Sequence, residues 1–260
     1  MAQGQSSWRH ALVVLIAVAV GTPAAARADE HAPEHPHWSY SGATGPEHWQ
    51  DVSPEAALCY LGKHQSPIDI RATTKASLPA IEFRYAPAPL RVVDNGHTIM
   101  VSYAAGSSIV VGGQTYELQQ FHFHKPSEER VHGHAFPLVI HLVHKNAQGE
   151  LAVVAVLLKA GAQSAALASI WKNLPATKDV ENSPAGVSVN AADLLPAQRG
   201  YYTFTGSLTT PPCSENVTWY VLKTPVEVSA AQVKLFGTHY AHNARPVQPL
   251  NDRVVRETAD

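Results

Sequence analysis

His122 and His124 are separated by one phenylalanine, and His141 follows seventeen residues later inside the apolar run VIHLV. Imidazole nitrogens brought to one point suit zinc better than magnesium or calcium, which take oxygen ligands. Three such nitrogens with one position left open are the donor set of a catalytic zinc site; a structural site is closed by four protein ligands. The stretch FHFHKPSEERVHGHAFPLVIHLVH, Phe121 to His144, holds six of the chain's fifteen histidines. An HxH pair alone is weak evidence, because solvated strands carry such pairs too. Here phenylalanines flank the pair and aliphatic residues flank His141. Burying three unpaired imidazoles would be costly, so a shared partner is the cheaper arrangement. His132 and His134, in the polar connection VHGHAF, read as solvated, and His144 reads as a hydrogen-bonded structural histidine.

Those roles require particular elements. Side chains two apart on a strand share a face, so a strand over Leu118–His124 points Gln120, His122 and His124 one way and Phe121 and Phe123 the other. On the next strand His141 shares a face with Val139 and Val143, and antiparallel pairing would bring it to the HxH pair. A second metal reading stays open. HFHKPSE contains the HxHxxxE spacing of a cupin, in which His122, His124 and Glu128 would hold iron or manganese. The glycines fit that pattern poorly, since Gly113 lies nine residues before His122 and no PxG…H segment follows at a suitable distance.

Around these strands the chain keeps returning to short β-rich apolar runs punctuated by glycine and proline. PLVIHLVHKNAQGELAVVAVLLKAG reads as two strands joined by a turn at Asn146–Gly149, and the second is apolar enough to be covered on both faces. Helical signal is confined to Ser164–Leu174 and Ser229–Phe236. The pattern predicts a mainly β, single sheet-centred domain of a dozen or so short strands with short peripheral helices. HWSYSGATGPEHW has no periodicity, and its aromatics predict a segment pinned onto the body.

The first 28 residues have the layout of a secretory signal: Arg9 and His10, an apolar run over Ala11–Val20, then small residues ending in Ala26-Arg27-Ala28. That run is too short for a bilayer span, with a retained amphipathic anchor as the alternative. Cleavage would leave Asp29–Asp260 as one domain in the periplasm or outside the cell, with no membrane span after processing. A net charge of −2 and the absence of a basic, aromatic-interleaved stripe give no reason to expect nucleic acid. In an exported chain the two cysteines, Cys59 and Cys213, read as one disulfide, with two buried thiols as the alternative. A homodimer is compatible with the sequence, which does not set the oligomeric state.

YSGATGPEHW, QSPIDI, DNGHTIMV, QFHFHKPSE, IHLVHKN, GSLTTPPC and NARPVQP occur in this order from Tyr40 to Pro249. Together they closely resemble the α-class carbonic anhydrases, in particular their exported bacterial forms, over about Trp38–Arg253. The resemblance implies a mostly antiparallel twisted sheet of about ten strands with a central cleft. It also implies a lyase that reversibly hydrates carbon dioxide to bicarbonate and a proton on one Zn2+ per chain. His122, His124 and His141 match the zinc ligands, Thr209 and Glu128 the pair that orients the zinc-bound hydroxide, and His97 the proton shuttle. Val143, Val153, Leu208, Thr210, Val217 and Trp219 match the substrate pocket. Tyr40, Asn95 and Gln120 match groups that hold the water chain and the first histidine. Cys59 and Cys213 match a disulfide, and Asn243 and Arg245 a structural anchor. A metal-free relative kept as a binding module is the alternative from outside the enzymes; such relatives lose one or more of the zinc histidines.

Three positions depart from the pattern. Val139 stands where the family usually has a carboxylate two residues before the third ligand. That predicts a His141 without its usual acceptor, with a backbone carbonyl or water as the substitute, and a somewhat more weakly held metal. It also predicts slower zinc loss in Val139→Glu, provided the pocket admits the longer side chain. Glu129 stands where histidine or asparagine is usual, and Met100 replaces a polar residue beside the shuttle.

Overall fold

Gln114–His124 and Leu138–Lys145 pair antiparallel at the centre of the sheet, with His141 directly opposite His122 and Val139 opposite His124. The pairing slips between Val143 and His144, where an extra residue of the first strand bulges out. Strict alternation would put Leu118 on the face of Gln120 and His122. The bulge moves it to the opposite face, where it is buried with Phe121 and Phe123.

The computed structural model describes Met1 and residues 37–259. The expected signal segment, apart from Met1, and the start of the domain at Asp29 lie outside the described residues. The described residues 37–259 form one compact unit. Its main sheet has twelve strands. From one edge these run Thr74–Ala76, Arg256–Thr258, Tyr201–Ser207, Glu215–Leu222, Leu151–Ala160, Leu138–Lys145, Gln114–His124, Ile99–Ser102 and Val92–Asp94. Val226–Val228 also pairs with Leu151–Ala160, and Ser108–Val111 joins Glu82–Arg84 to Gln114–His124. Most pairs are antiparallel. Leu151–Ala160 lies parallel to Glu215–Leu222 and to Val226–Val228, and Thr74–Ala76 parallel to Arg256–Thr258. The sheet is therefore mixed, and wider than the expected ten or so strands because short edge strands join it.

The apolar strand over Leu151–Ala160 is covered on both faces, as its composition predicts. Val154, Val156 and Leu158 enter a core with Phe121, Phe123 and Leu142, while Val153, Ala155 and Leu157 enter a second one with Val139, Phe204 and Trp219. Two helices pack on the first core. Ala165–Lys172 is N-capped by Ser164, and Ala230–His239 opens with a capping box between Ser229 and Gln232. Gln232 also bonds Ser164 through both its amide groups, tying the helix starts together. The N-terminal aromatics are pinned as expected. Trp49 is fully buried and packs edge-on against Trp38 and Tyr40, and Arg245 lies over its ring.

Candidate metal centre

One nitrogen from each of His122, His124 and His141 falls within 4.8 Å of the other two. The central strand pairing produces this: His122 and His124 share one face, and His141 stands across the ladder from His122. In each ring the other nitrogen is occupied. His122 Nδ1 donates to Gln120 Oε1 at 2.8 Å, and His124 Nδ1 to the Asn243 carbonyl at 2.7 Å. His141 Nε2 donates to Glu129 Oε2 at 3.1 Å. The inward nitrogens are then His122 Nε2, His124 Nε2 and His141 Nδ1, each carrying a lone pair. His124 Nε2 is buried and has no hydrogen-bond partner among the described residues. A cation is the partner that satisfies such a set without adding further donors.

Electrostatics favour neutral imidazoles at two of the three positions. Burial, reinforced by His141, pushes His122 down to about 3, and the same causes with His122 push His124 well below its ordinary value. Burial pulls His141 down too, but the charge and hydrogen bond of Glu129 and the charge of Glu128 lift it above the ordinary value. Glu128 is fully buried, and burial raises its carboxyl to about 7 despite the opposing influence of His141 and Thr209. Its Oε1 accepts the Arg245 backbone N–H at 2.8 Å.

A cavity of about 210 Å³ opens on the histidines, lined by Gln120, His122, His141, Val143, Val153, Leu208, Thr209, Thr210 and Trp219. Val217 is buried in the same apolar cluster without lining the cavity. Trp219 also meets the His141 ring edge-on.

His97, Tyr40 and Asn95 are not among the lining residues. His97 is half-buried at the turn between Val92–Asp94 and Ile99–Ser102, and Trp38 stacks flat on it with ring centroids 3.7 Å apart. Burial first, then His37, holds its pKa below the ordinary value. Asn95 shapes that turn, its Oδ1 accepting the N–H groups of His97 and Thr98. Tyr40 lies against Trp38 and Trp49, and burial together with the Glu128 charge raises its phenol pKa. Met100 pairs with His122 and is partly exposed.

The other histidines stand as the sequence predicts. His132 and His134 are exposed. His144 is fully buried, with Nε2 at 2.7 Å from the Tyr85 hydroxyl and Nδ1 at 3.3 Å from the Ala152 carbonyl. Cys59 and Cys213 are bonded at 2.06 Å.

The iron set fails on geometry. The convergent set is His122, His124 and His141 without Glu128. The Oε1 of Glu128 lies 3.5 Å from His124 Nδ1, the outward nitrogen, and takes the Arg245 N–H, while its Oε2 lies 3.8 Å from His141 Nδ1. The expectation that only a backbone carbonyl or water could replace the usual acceptor of His141 is overturned as well. Val139 offers none, but Glu129 reaches the ring from outside the strand. The signal available in the sequence was a second acidic residue directly after Glu128. The Asn243 carbonyl on His124 left no trace, because a backbone acceptor is independent of residue type.

The profile of eukaryotic-type carbonic anhydrases matches residues 44–259. The chain belongs to this family. A carbonic anhydrase of Neisseria gonorrhoeae is 46% identical over 227 residues, covering 86% of this chain and 88% of the relative. One from a Nostoc strain is 43% identical over 226 residues, covering 85% and 86%. The solved α-carbonic anhydrase of Thermovibrio ammonificans, bound to the inhibitor sulfanilamide, superposes with a TM-score of 0.82 at 43% identity, covering 85% of this chain and 98% of that one. As an α-class carbonic anhydrase the chain is a lyase that interconverts carbon dioxide with bicarbonate and a proton. All three histidines of the family's metal set are present and converge, which separates it from metal-free binding relatives.

Proposed function

We propose that the metal is one zinc ion per chain, held by His122 Nε2, His124 Nε2 and His141 Nδ1. The carrying observation is that each ring has one nitrogen bonded to the protein and the other directed to a common point. Zinc bound there lowers the pKa of a coordinated water to about 7, making a nucleophile available near neutrality.

The chain's own residues do the rest. Thr209 lies against Glu128 and stabilises its ionised form. A hydroxyl that donates to the carboxylate turns its lone pairs to the cavity, where they accept from the nucleophilic water and aim it. Val143, Val153, Leu208 and Trp219 give carbon dioxide an apolar wall and exclude competing water. Thr210 bounds the same space. His97, outside the cavity and half-buried, carries the released proton to solvent; an imidazole can take and release it near neutral pH.

Carbon dioxide hydration and zinc content, measured together on protein starting at Asp29, test this reading. His141→Ala should remove most of the zinc and nearly all the activity; stoichiometric zinc in that variant would refute the ligand set.

The signal-like residues 1–28 and the Cys59–Cys213 bond support export, since disulfides persist in oxidising compartments. The enzyme then works in the periplasm or outside the cell. Mass spectrometry of natively exported protein should give a chain beginning at Asp29 and lacking two hydrogens. A retained N-terminus would refute the cleavage.

A further inference from the structure

His122 and His141 sit opposite one another, yet their rings are held differently. His122 is held by Gln120, two residues earlier on its own strand and on the same face. The equivalent position for His141 is Val139, fully buried and unable to accept a hydrogen bond. The acceptor comes instead from Glu129, on the connection between the two strands.

Glu129 is fully buried, and its carboxylate has one hydrogen-bond partner among the described residues, His141; its other oxygen has none. A buried carboxylate is costly unless it is used. Among the described residues its ion pair is with His141, so compensation comes from the ring it holds. Its backbone is fixed on both sides of the peptide. Ser127 Oγ donates to the Glu129 carbonyl at 2.8 Å, and the following Arg130 N–H reaches the Ile68 carbonyl at 3.2 Å.

We infer that Glu129 is the positioning residue of the third metal ligand. It holds the proton on His141 Nε2, fixes the ring plane and leaves Nδ1 as the donor to the metal. It does from a separate segment what Gln120 does for His122 from within the strand. A consequence follows for position 139. With Glu129 present, Val139→Glu would set two carboxylates on one N–H beside Glu128, so it should hasten metal loss. This reverses the gain expected from the sequence. The inference rests on the histidines being a zinc set, which zinc stoichiometry of the unaltered protein tests separately.

The experiment follows zinc transfer to a coloured chelator and the visible spectrum of the cobalt-substituted protein, which reports ligand geometry. Glu129→Ala, and the bulk-preserving Glu129→Met, should each release zinc about 10–100-fold faster and alter the cobalt spectrum, the usual scale for removing a ligand's hydrogen-bond partner. Val139→Gln placed in the Glu129→Ala background supplies an acceptor at the position that Gln120 occupies for His122, and should restore most of the retention and the spectrum. Unchanged zinc release in whichever single variant folds would overturn the inference. Fast release that Val139→Gln does not slow would also overturn it, showing that Glu129 serves only the local fold. Absence of zinc from the unaltered protein would instead refute the metal reading.

Discussion

Replacing Asn243 with alanine should separate two functions that meet in one residue. Asn243 is fully buried. Its Nδ2 donates to the carbonyls of His97 at 3.1 Å and Phe123 at 2.9 Å, and its Oδ1 accepts the Lys125 N–H at 2.8 Å. Its backbone carbonyl holds His124. The substitution deletes the three side-chain bonds and spares the fourth. Phe123 O keeps the Thr98 hydroxyl at 2.6 Å, and the half-buried His97 O can turn to water, whereas the Lys125 N–H is left without its acceptor. At about 1 kcal/mol for each lost bond, and more for the orphaned donor, the loss is about 3–4 kcal/mol. In a domain of this size that lowers Tm by roughly 6–16 °C. Zinc should stay stoichiometric, because the carbonyl on His124 remains. The kcat for hydration in weak buffer should fall more than kcat/KM, because the turn carrying His97 loses its anchor. Thermal unfolding, zinc content and stopped-flow hydration measure the three effects. Loss of zinc at unchanged Tm would refute this division, showing the side chain to act on the ligand and not on the shuttle turn.

His97→Ala should lower kcat in weak buffer roughly tenfold or more while leaving kcat/KM nearly unchanged, and imidazole buffer should restore part of the loss. Because the His97 pKa is lowered, its neutral, proton-accepting form persists to lower pH, so the acidic limb of the wild-type kcat profile should fall below about 6.5; a limb above that value would count against the assignment. Burial holds His144 at about 4, so its neutral form contributes stability that is complete above the ordinary imidazole value and is lost as pH falls from about 6.5 toward 4, by about 3 kcal/mol. Denaturant unfolding across that range should therefore fall less steeply for His144→Gln than for the wild type, and equal slopes would contradict the burial argument.

The residues that do chemistry were more legible than the groups that hold them. HxH and the VIHLV run gave the ligands and their antiparallel pairing because side-chain alternation on strands is a strict geometric rule. The short helix expected from Ser229 was legible in outline, and the structure shows its start fixed by a capping box between Ser229 and Gln232. Alternation placed Gln120 on the face of His122, but its role as the partner of that ring came only from the family resemblance. The bulge that carries Leu118 to the opposite face was not legible, since it depends on the facing strand. Glu129 lies twelve residues from His141, and only the folded connection shows that it replaces what Val139 cannot give. Asn95, matched by the resemblance to the water chain, also uses its Oδ1 to bond the turn that presents His97, a use that its residue type permits.

The Asn243 carbonyl that orients His124 lies 119 residues further along the chain. During synthesis from the N-terminus, at roughly 5–20 residues per second, the second ligand waits roughly 6–24 seconds for its partner. The Arg245 N–H that holds Glu128 arrives later still. All three histidines therefore emerge before the groups that finish the site. A metal captured in that interval meets loosely aimed rings, so selectivity and tight retention begin only when nearly the whole chain has been made. Truncation just before Asn243 would keep every ligand in the chain and remove the groups that aim His124 and hold Glu128.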